Sequence, residues 1–207
     1  MKIAIIGNGN IGGGLGKAWA AKGHQIAFGA RDPEDKELVA QCKAIGARAA
    51  SVRDACSGAE VVAFAMPFKA IDDVIAAAGD LRGKVVIDCT NAVAPGMTGL
   101  VYGHTTSAAE ELAKKLPGAR VFKSFNAQGA ENLANPVYDG VRANNFFCGD
   151  DAEGKKVLHQ LVEDIGFEAI DAGGLTAARL LEPLMLLWIN TSRALGKRDI
   201  AFKVLRR

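Results

Sequence analysis

The sequence predicts a doubly wound α/β protein, with a mostly parallel sheet of about eight strands and a helical C-terminal extension. Three observations predict it. Short apolar segments alternate with segments of helical periodicity along most of the 207 residues. The first apolar segment, 1–6, runs directly into a glycine-rich turn. A second strand begins near His24, within the ~30 residues that a βαβ unit needs. Such sheets bind ligands at the carboxyl ends of their strands, so we expect the site there.

The predicted strands are short apolar runs bounded by Gly, Pro, Asn, Asp or Ser. After the first strand they cover residues 24–28, 47–50, 60–66, 84–89, 120–125, 145–148 and 167–171. The run at 60–66 is almost wholly apolar, which is typical of a parallel strand that is covered on both faces, and Pro67 ends it.

The predicted helices lie between these strands and carry apolar residues at helical spacing. The first begins at about Asn10. The others cover residues 33–45, 51–55 (a brief helical turn), 69–78, 108–116 and 152–165, followed by a helical region after residue 174. Asp32 is expected to cap the second helix and Pro33 to occupy its first position. Residues 92–106 form a loop of a length that is often functional in α/β proteins.

The turn after the first strand has the spacing G-x-G-x-x-G. Its residues are Gly7, Asn8, Gly9, Asn10, Ile11 and Gly12. The first glycine permits the tight turn, the second lets a pyrophosphate approach the backbone, and the third lets helix and strand pack closely. Unpaired N–H groups at the start of the helix would face the phosphates. The turn therefore predicts a dinucleotide-binding Rossmann fold. An ordinary glycine-rich turn is the alternative, and Gly13, Gly14 and Gly16 are expected to serve helix packing.

The residues that end the second strand bear on the choice between NAD and NADP. Proteins that bind NAD usually place Asp or Glu there to bind the ribose 2′-hydroxyl. This chain has Gly29 and Ala30 followed by Arg31, which leaves room for a 2′-phosphate and provides a guanidinium to bind it. We therefore expect NADP, with Ala30 and Arg31 at the 2′-phosphate. A solvated Arg31 paired with Asp32 is the alternative.

Three later strand ends are expected to line the nicotinamide end of the cofactor. Ala65, Met66 and Pro67 follow the fourth strand, where backbone groups and apolar side chains can cover the ring. Asn91 and Asn126 follow the fifth and sixth strands and could orient a carboxamide or a ribose hydroxyl. Turn formation, which Asn also favours, is the alternative for both.

No acid–base set and no metal-ligand motif accompany these residues, so we expect neither a catalytic side chain nor a metal site. Reduction of a carbonyl needs a proton donor, whereas hydride exchange between two cofactors needs mainly the alignment of donor and acceptor carbons. The absence therefore favours a redox cofactor as the partner substrate, although Tyr102 or Lys123 could be recruited as an acid.

Composition and charge exclude other classes. The net charge of +2 is spread along the chain, which gives no case for a nucleic acid or an anionic membrane as partner. The longest strongly apolar run, 184–189, is far shorter than the ~20 residues of a membrane span. The chain runs from Met1 straight into a strand, so we expect no signal peptide and a cytoplasmic protein.

Beyond the glycine turn, several segments resemble one family, the NADPH-dependent reductases of the deazaflavin coenzyme F420. The similarity runs over nearly the whole length and includes residues 9–12, 23–24, 29–31, 66–67, 148–151, 171–173 and 179–182. The late segments are the more specific ones, because generic Rossmann domains lack them. Residues 122–126 are more similar to the cytosolic domain of membrane ferric reductases. Archaeal members of the deazaflavin family carry His in place of Asn126 and a second Arg in place of Asp32.

The resemblance implies an NADPH-dependent oxidoreductase that transfers hydride between NADP and a flavin-like acceptor, either coenzyme F420 or a flavin or quinone. It also implies a homodimer. We expect residues 1–174 to form the NADP-binding Rossmann domain, and residues 175–207 to form a helical extension over the acceptor cleft that is also a candidate dimer contact. A non-enzymatic NADP-binding sensor or partner subunit is the alternative. A β-hydroxyacid or imine reductase is disfavoured, because too few residues follow the sheet to form the large helical domain of those enzymes.

Overall fold

The computed structural model describes residues 1–207, which contain ten strands and seven α-helices. The strands are β1 (Lys2–Ile6), β2 (Gln25–Ala30), β3 (Arg48–Ser51), β4 (Val61–Phe64), β5 (Val85–Asp88), β6 (Arg120–Ser124), β7 (Val137–Tyr138), β8 (Val141–Arg142), β9 (Asn144–Gly149) and β10 (Glu168–Asp171). The helices are α1 (Asn10–Ala20), α2 (Lys36–Ile45), α3 (Val52–Ser57), α4 (Ile71–Ala78), α5 (Ala108–Lys115), α6 (Ala152–Ile165) and α7 (Ala178–Leu195).

Eight strands form one sheet in the order β10-β9-β6-β5-β4-β1-β2-β3, so the prediction of a mostly parallel, doubly wound sheet is confirmed. All neighbouring strands are parallel except β6 and β9, where Lys123 lies opposite Cys148 in an antiparallel pair. The chain order reverses between β1 and β4, and a ligand crevice opens at such a switch point. The glycine turn after β1 therefore lies beside the segment that follows β4.

The central strands are buried on both faces, and the alternation of side chains separates two cores. Along β1, Ile3 and Ile5 belong to one core, and Ala4 and Ile6 to the other. Helices α1, α2 and α6 cover the first core, and α3, α4, α5 and α7 cover the second. Burial on both faces explains why these strands are almost continuously apolar in the sequence.

The start of α2 corrects one prediction. Asp35, not Asp32, caps this helix by accepting a hydrogen bond from Leu38 N–H at 2.9 Å. Asp32 instead accepts a hydrogen bond from Glu34 N–H at 3.0 Å, within the turn that precedes the helix. Pro33 consequently lies in that turn and not in the first helical position. Two Asp side chains could have served as the cap, and the later one does so.

Two further features differ from the prediction. The helix predicted for residues 69–78 begins as α4 only at Ile71, because Phe68–Ala70 form a separate 3₁₀ turn. The β7–β8 hairpin is absent from the prediction. Its turn residues, Asp139 and Gly140, both have positive φ, 47° and 81°, as the tight hairpin turn requires. Asp-Gly is a common pair in such turns and stands here between Val137-Tyr138 and Val141-Arg142, so the sequence does contain a signal for the hairpin.

Helix α7 packs on the sheet and the final residues follow the sheet edge. Met185 and Trp188 are buried, and Trp188 Nε1 donates a hydrogen bond to Ile200 O at 2.9 Å. The backbone N–H of Asn144, at the start of β9, donates to Phe202 O at 3.0 Å. Hydrogen bonds thus join the residues after α7 to α7 itself and to the start of β9. Every helix is too short or too polar to cross a lipid bilayer.

Candidate functional site

The glycine turn joins β1 to α1 at the switch point of the sheet. Gly7 has a φ of 102°, which residues with a side chain rarely adopt, and a Cβ there would lie 2.7 Å from Ala65 O. A Cβ on Gly12 would lie 1.8 Å from Gly7 O. The tight turn and the close packing of helix and strand therefore require glycine at both positions.

Gly9 has neither of these constraints. No atom of the protein lies within 4 Å of the position that its Cβ would occupy, and its φ of −68° suits any residue. The fold alone therefore does not explain this glycine, whereas a pyrophosphate lying over the backbone would. Gly9 is also the N-cap of α1, which has no side-chain cap and no acidic residue in its first turn. The first N–H groups of this helix are consequently suited to binding an anion.

The other residues of the turn differ in their exposure. Asn8 and Asn10 are exposed, and Ile11 is half-buried against the first core. The Asn8 amide Nδ2 donates to Gln41 Oε1 on α2 at 3.3 Å, which ties the turn to the neighbouring helix. Of the residues predicted to hold a pyrophosphate, Asn8, Gly9 and Asn10 are therefore exposed at the start of α1, whereas Gly12 is buried.

The additional glycines of α1 serve packing, as predicted, at two of the three positions. A Cβ on Gly14 would lie 2.8 Å from Leu133 Cδ1, and a Cβ on Gly16 would lie 2.5 Å from Phe28 Cζ. Gly13 faces mainly the end of a flexible side chain. Close approach of α1 to the sheet and to the segment after β6 thus depends on Gly14 and Gly16.

Arg31 follows the last residue of β2, Ala30, and its side chain is 81% exposed. Its Nη2 lies 3.3 Å from Oδ2 of Asp73 on α4, so the alternative pairing with Asp32 is not formed. Asp73 is itself 77% exposed, and exposed pairs of this kind contribute only about 0–1 kcal/mol. A phosphate could therefore replace the Asp73 carboxylate at the guanidinium.

The segment after β4 lies against the glycine turn. Ala65 N–H donates a hydrogen bond to Ile6 O at 2.9 Å, which continues the pairing of β4 with β1 beyond the strand. Ala65 and Met66 are half-buried, and Pro67 is exposed. Backbone and apolar groups of these residues thus form the wall of the crevice next to the turn.

Asn91 and Asn126 bind each other across the ends of β5 and β6. Asn91 Nδ2 donates to Asn126 O at 3.0 Å, and Asn126 Nδ2 donates to Asn91 Oδ1 at 3.1 Å. Asn126 Nδ2 also donates to the carbonyl of Leu181 in α7 at 2.8 Å. Asn126 is only 6% exposed. The pair therefore connects two strand ends to the C-terminal helix, and sequence reasoning missed this connection.

Phe125 places Asn126 by means of an unusual backbone conformation. Its φ is 57°, in the left-handed region, although its aromatic side chain is buried. The ring packs edge-on against Trp19, with centroids 5.7 Å apart. Such a conformation costs about 1–3 kcal/mol and persists where the surrounding packing enforces it. The strained residue lies directly before the Asn pair, as strained residues at ligand sites often do.

Three buried charged side chains form a cluster close in sequence to Asn91, Asn126 and Leu181. Lys123 Nζ lies 2.8 Å from Asp88 Oδ2 and 3.2 Å from Glu182 Oε1, and all three side chains are at most 1% exposed. Burial by itself lowers the pKa of Lys123, but the two carboxylates more than offset this effect and raise the pKa above its ordinary value. Lys123 therefore remains an ammonium ion that is bound within the protein, and it is a poor proton donor. This arrangement disfavours the recruitment of Lys123 as an acid.

The other suggested acid, Tyr102, packs edge-on against Phe68 with ring centroids 5.9 Å apart.

The sequence contained a signal for the buried charges. Asp88 and Lys123 interrupt strands that are otherwise almost wholly apolar, and a charge buried in such a strand needs a partner. Glu182 could not have been identified as that partner, because it is distant in the sequence and lies on a helix.

Residues 2–92 match the family described as NADP oxidoreductase, coenzyme F420-dependent. An F420-dependent NADP reductase of Methanothermobacter thermautotrophicus is 34% identical over 206 residues, which cover 92% of this chain and 88% of that protein. The metalloreductase STEAP3 of Rattus norvegicus is 30% identical over 200 residues. That alignment covers 94% of this chain but only 39% of the metalloreductase, so the chain spans about two fifths of that relative.

Solved structures show the same likeness. A protein of Arthrobacter sp. FB24, provisionally assigned as an F420-dependent NADP reductase, superposes with a TM-score of 0.91 at 31% identity over the whole of both chains. A reductive aminase of Aspergillus terreus with bound NADPH superposes with a TM-score of 0.70 over 93% of this chain and 62% of that one. Its identity of 18% shows a shared fold and nothing more.

Proposed function

The chain belongs to the family of coenzyme F420-dependent NADP oxidoreductases, and from that premise we propose that it transfers hydride between NADP and a flavin-like acceptor. Coenzyme F420 is the first candidate for the acceptor, because two archaeal relatives of similar length are F420-dependent NADP reductases. A flavin or a quinone is the second. It rests on the resemblance of residues 122–126 to the cytosolic domain of membrane ferric reductases, and a metalloreductase is 30% identical over 94% of this chain.

The observation that carries the proposal is the open space over Gly9 at the uncapped start of α1. The turn would bind the pyrophosphate through the backbone of Gly9 and the first N–H groups of the helix. Arg31 would bind the 2′-phosphate in place of Asp73. The residues proposed to contact the cofactor are Gly7, Asn8, Gly9, Asn10, Ile11, Gly12, Ala30, Arg31, Ala65, Met66, Pro67, Asn91 and Asn126.

Bound NADPH supplies the hydride, and the task of the protein is to align donor and acceptor carbons and to exclude water. The half-buried Ala65 and Met66 would cover one side of the nicotinamide end. Asn91 and Asn126 would line the other side of the nicotinamide end, at the ends of β5 and β6, where their mutual hydrogen bonds hold both side chains in place. None of these roles requires a titrating side chain, which agrees with the use of Lys123 as a buried ion-pair partner.

We propose that residues 1–174 form the NADP-binding domain, and that residues 175–207 cover the acceptor side and provide a dimer contact. The outer face of α7 carries exposed apolar side chains, among them Leu180 at 73% and Leu187 at 53% exposure. These two residues lie two helical turns apart on one face, and a self-complementary apolar face of this kind suits a two-fold dimer. The double variant Leu180→Glu with Leu187→Glu should then sediment as a monomer, whereas the unchanged protein should sediment as a dimer.

A turnover assay tests the proposed activity. NADPH oxidation is measured with the deazaflavin coenzyme, FMN and a water-soluble quinone, and with NADH in place of NADPH as the control. The proposal expects oxidation of NADPH by at least one acceptor and a clear preference over NADH. Tight NADPH binding without oxidation by any acceptor would instead favour a non-enzymatic NADP-binding sensor or partner subunit.

A further inference from the structure

Stability alone does not explain the cluster formed by Asp88, Lys123 and Glu182. Removal of a charge from water carries a large desolvation cost, and replacement of a buried ion pair by apolar residues of similar volume is often neutral or stabilising. Each of the three groups is nevertheless almost completely buried and makes three polar contacts of 3.2 Å or less. The contacts that the cluster makes with neighbouring segments therefore indicate its role.

On one side, the cluster fixes the end of β5. Lys123 Nζ donates to Thr90 O at 2.6 Å. Asp88 Oδ1 accepts hydrogen bonds from Thr90 N–H at 2.8 Å and from Thr90 Oγ1 at 2.7 Å. Three hydrogen bonds from the cluster thus hold Thr90, and the next residue is Asn91.

On the other side, the cluster fixes α7 and the start of α5. The Glu182 carboxylate accepts hydrogen bonds from the first two N–H groups of α5, at 3.0 and 3.1 Å, while it pairs with Lys123. The residue before Glu182 is Leu181, whose carbonyl accepts the hydrogen bond from Asn126. The Lys123 ammonium group therefore contacts both Thr90, the residue before Asn91, and Glu182, the residue after Leu181.

We propose that Lys123 is a positioning residue for the nicotinamide end of the cofactor site, and that it acts through Thr90 and Glu182 on the Asn91–Asn126 pair. The inference rests on the proposed function. If it holds, loss of the cluster charges weakens contacts to the nicotinamide half of NADPH. Contacts to the adenosine half, which would be made by the glycine turn and Arg31, remain intact.

Two variants and one control separate this role from a general loss of stability. The triple variant Asp88→Asn, Lys123→Met and Glu182→Gln removes all three charges at similar volume and leaves no buried charge unpaired. The single variant Glu182→Gln retains the Asp88–Lys123 pair and serves if the triple variant does not fold. The control is Glu110→Gln, because Glu110 also joins α5 to α7 by a salt bridge, to Arg179 at 2.6 Å, but contacts neither Thr90 nor the Asn pair.

The measurement is the ratio of two dissociation constants, one for NADPH and one for 2′,5′-ADP, which lacks the nicotinamide half. In the triple variant, or in Glu182→Gln, we expect the advantage of NADPH over 2′,5′-ADP to fall about tenfold, with the Kd of 2′,5′-ADP within about twofold of the unchanged protein. The control should retain the full advantage. An unchanged ratio, or parallel weakening of both ligands, would overturn the positioning role. Absence of NADPH binding by the unchanged protein would overturn the proposed function, and this inference with it.

Discussion

The side-chain amides of Asn91 and Asn126 face each other across the ends of β5 and β6, with Asn126 Nδ2 3.1 Å from Asn91 Oδ1. The same nitrogen lies 2.8 Å from Leu181 O in α7. One buried amide therefore donates to two acceptors, one in the loop after β5 and one in α7. The C-terminal helix is joined in this way to the strand ends where we place the nicotinamide half of the cofactor.

Replacement of Asn126 by Asp tests this junction. The variant loses a donor to two acceptors and places carboxylate oxygens against them, so we expect the free energy of unfolding to fall by about 1–3 kcal/mol in urea titrations. Asn135→Asp is the control, because the side chain of Asn135 acts only as an acceptor, from Val137 N–H at 3.1 Å, and Asp preserves that role. If both substitutions lowered the free energy of unfolding equally, the hydrogen bonds of Asn126 would make no particular contribution to stability.

Gly9 and Gly12 should respond differently to substitution by Ala. Gly9→Ala finds open space at an ordinary φ, so the variant should fold with its stability changed by less than about 1 kcal/mol. Its NADPH affinity should nevertheless fall at least about tenfold, because the new Cβ occupies the place of the pyrophosphate. Gly12→Ala would place its Cβ 1.8 Å from Gly7 O and should not fold. A Gly9→Ala variant that binds NADPH normally would contradict the placement of the phosphates.

The pairing of Arg31 with Asp73 predicts opposite effects of two substitutions. Arg31→Ala should weaken NADPH binding by about tenfold or more while leaving NADH binding unchanged, since only NADPH carries the 2′-phosphate. Asp73→Asn should strengthen NADPH binding, because it removes a carboxylate that competes for the guanidinium. Arg82→Ala is the matched control, as Arg82 is also exposed and pairs with a nearby acid, Asp80, at 2.6 Å. Equal losses for NADPH and NADH in Arg31→Ala would contradict the role of Arg31.

The salt bridge between Glu110 and Arg179 predicts a pH dependence of stability. The hydrogen bond from the Arg179 guanidinium holds the pKa of Glu110 below its ordinary value, although partial burial opposes this shift. The stabilisation from this pair is therefore fully present above the unfolded-state pKa of about 4.3, and it is lost as the pH falls through the lower folded-state value. Glu110→Gln should be less stable than the unchanged protein at pH 7, and the difference should shrink towards pH 3. Urea unfolding of both proteins between pH 7 and pH 3 measures this difference. A difference that does not change with pH would contradict the stabilising role of the Glu110–Arg179 pair.

Local sequence signals predicted most of the fold. The glycine turn and the buried strand before it located the β1–α1 junction, and the helix predicted for residues 152–165 has those bounds in the structure as α6. The start of α2 was less well defined, because Asp32 and Asp35 offered two competing caps of the same chemistry. Such local competition is decided by the surrounding packing, which the sequence alone does not reveal.

The candidate site was predictable as a set of strand ends but not as a network of contacts. Asn91 and Asn126 were each identified at a strand end, whereas their mutual hydrogen bonds depend on the neighbouring positions of β5 and β6 in the sheet. The partners Glu182 and Asp73 lie on helices, far along the chain from Lys123 and Arg31. No local pattern connects such residues, so their roles emerge only from tertiary structure.

The most direct test of the central claim is stopped-flow mixing of the NADPH-bound protein with the deazaflavin coenzyme, followed through the absorbance of NADPH. We predict rapid oxidation of bound NADPH, and much slower oxidation when NADH replaces it. If the deazaflavin is inactive but FMN or a quinone oxidises bound NADPH, the activity stands and the acceptor is reassigned. Tight NADPH binding with no oxidation by any of the three acceptors would contradict hydride transfer as the function.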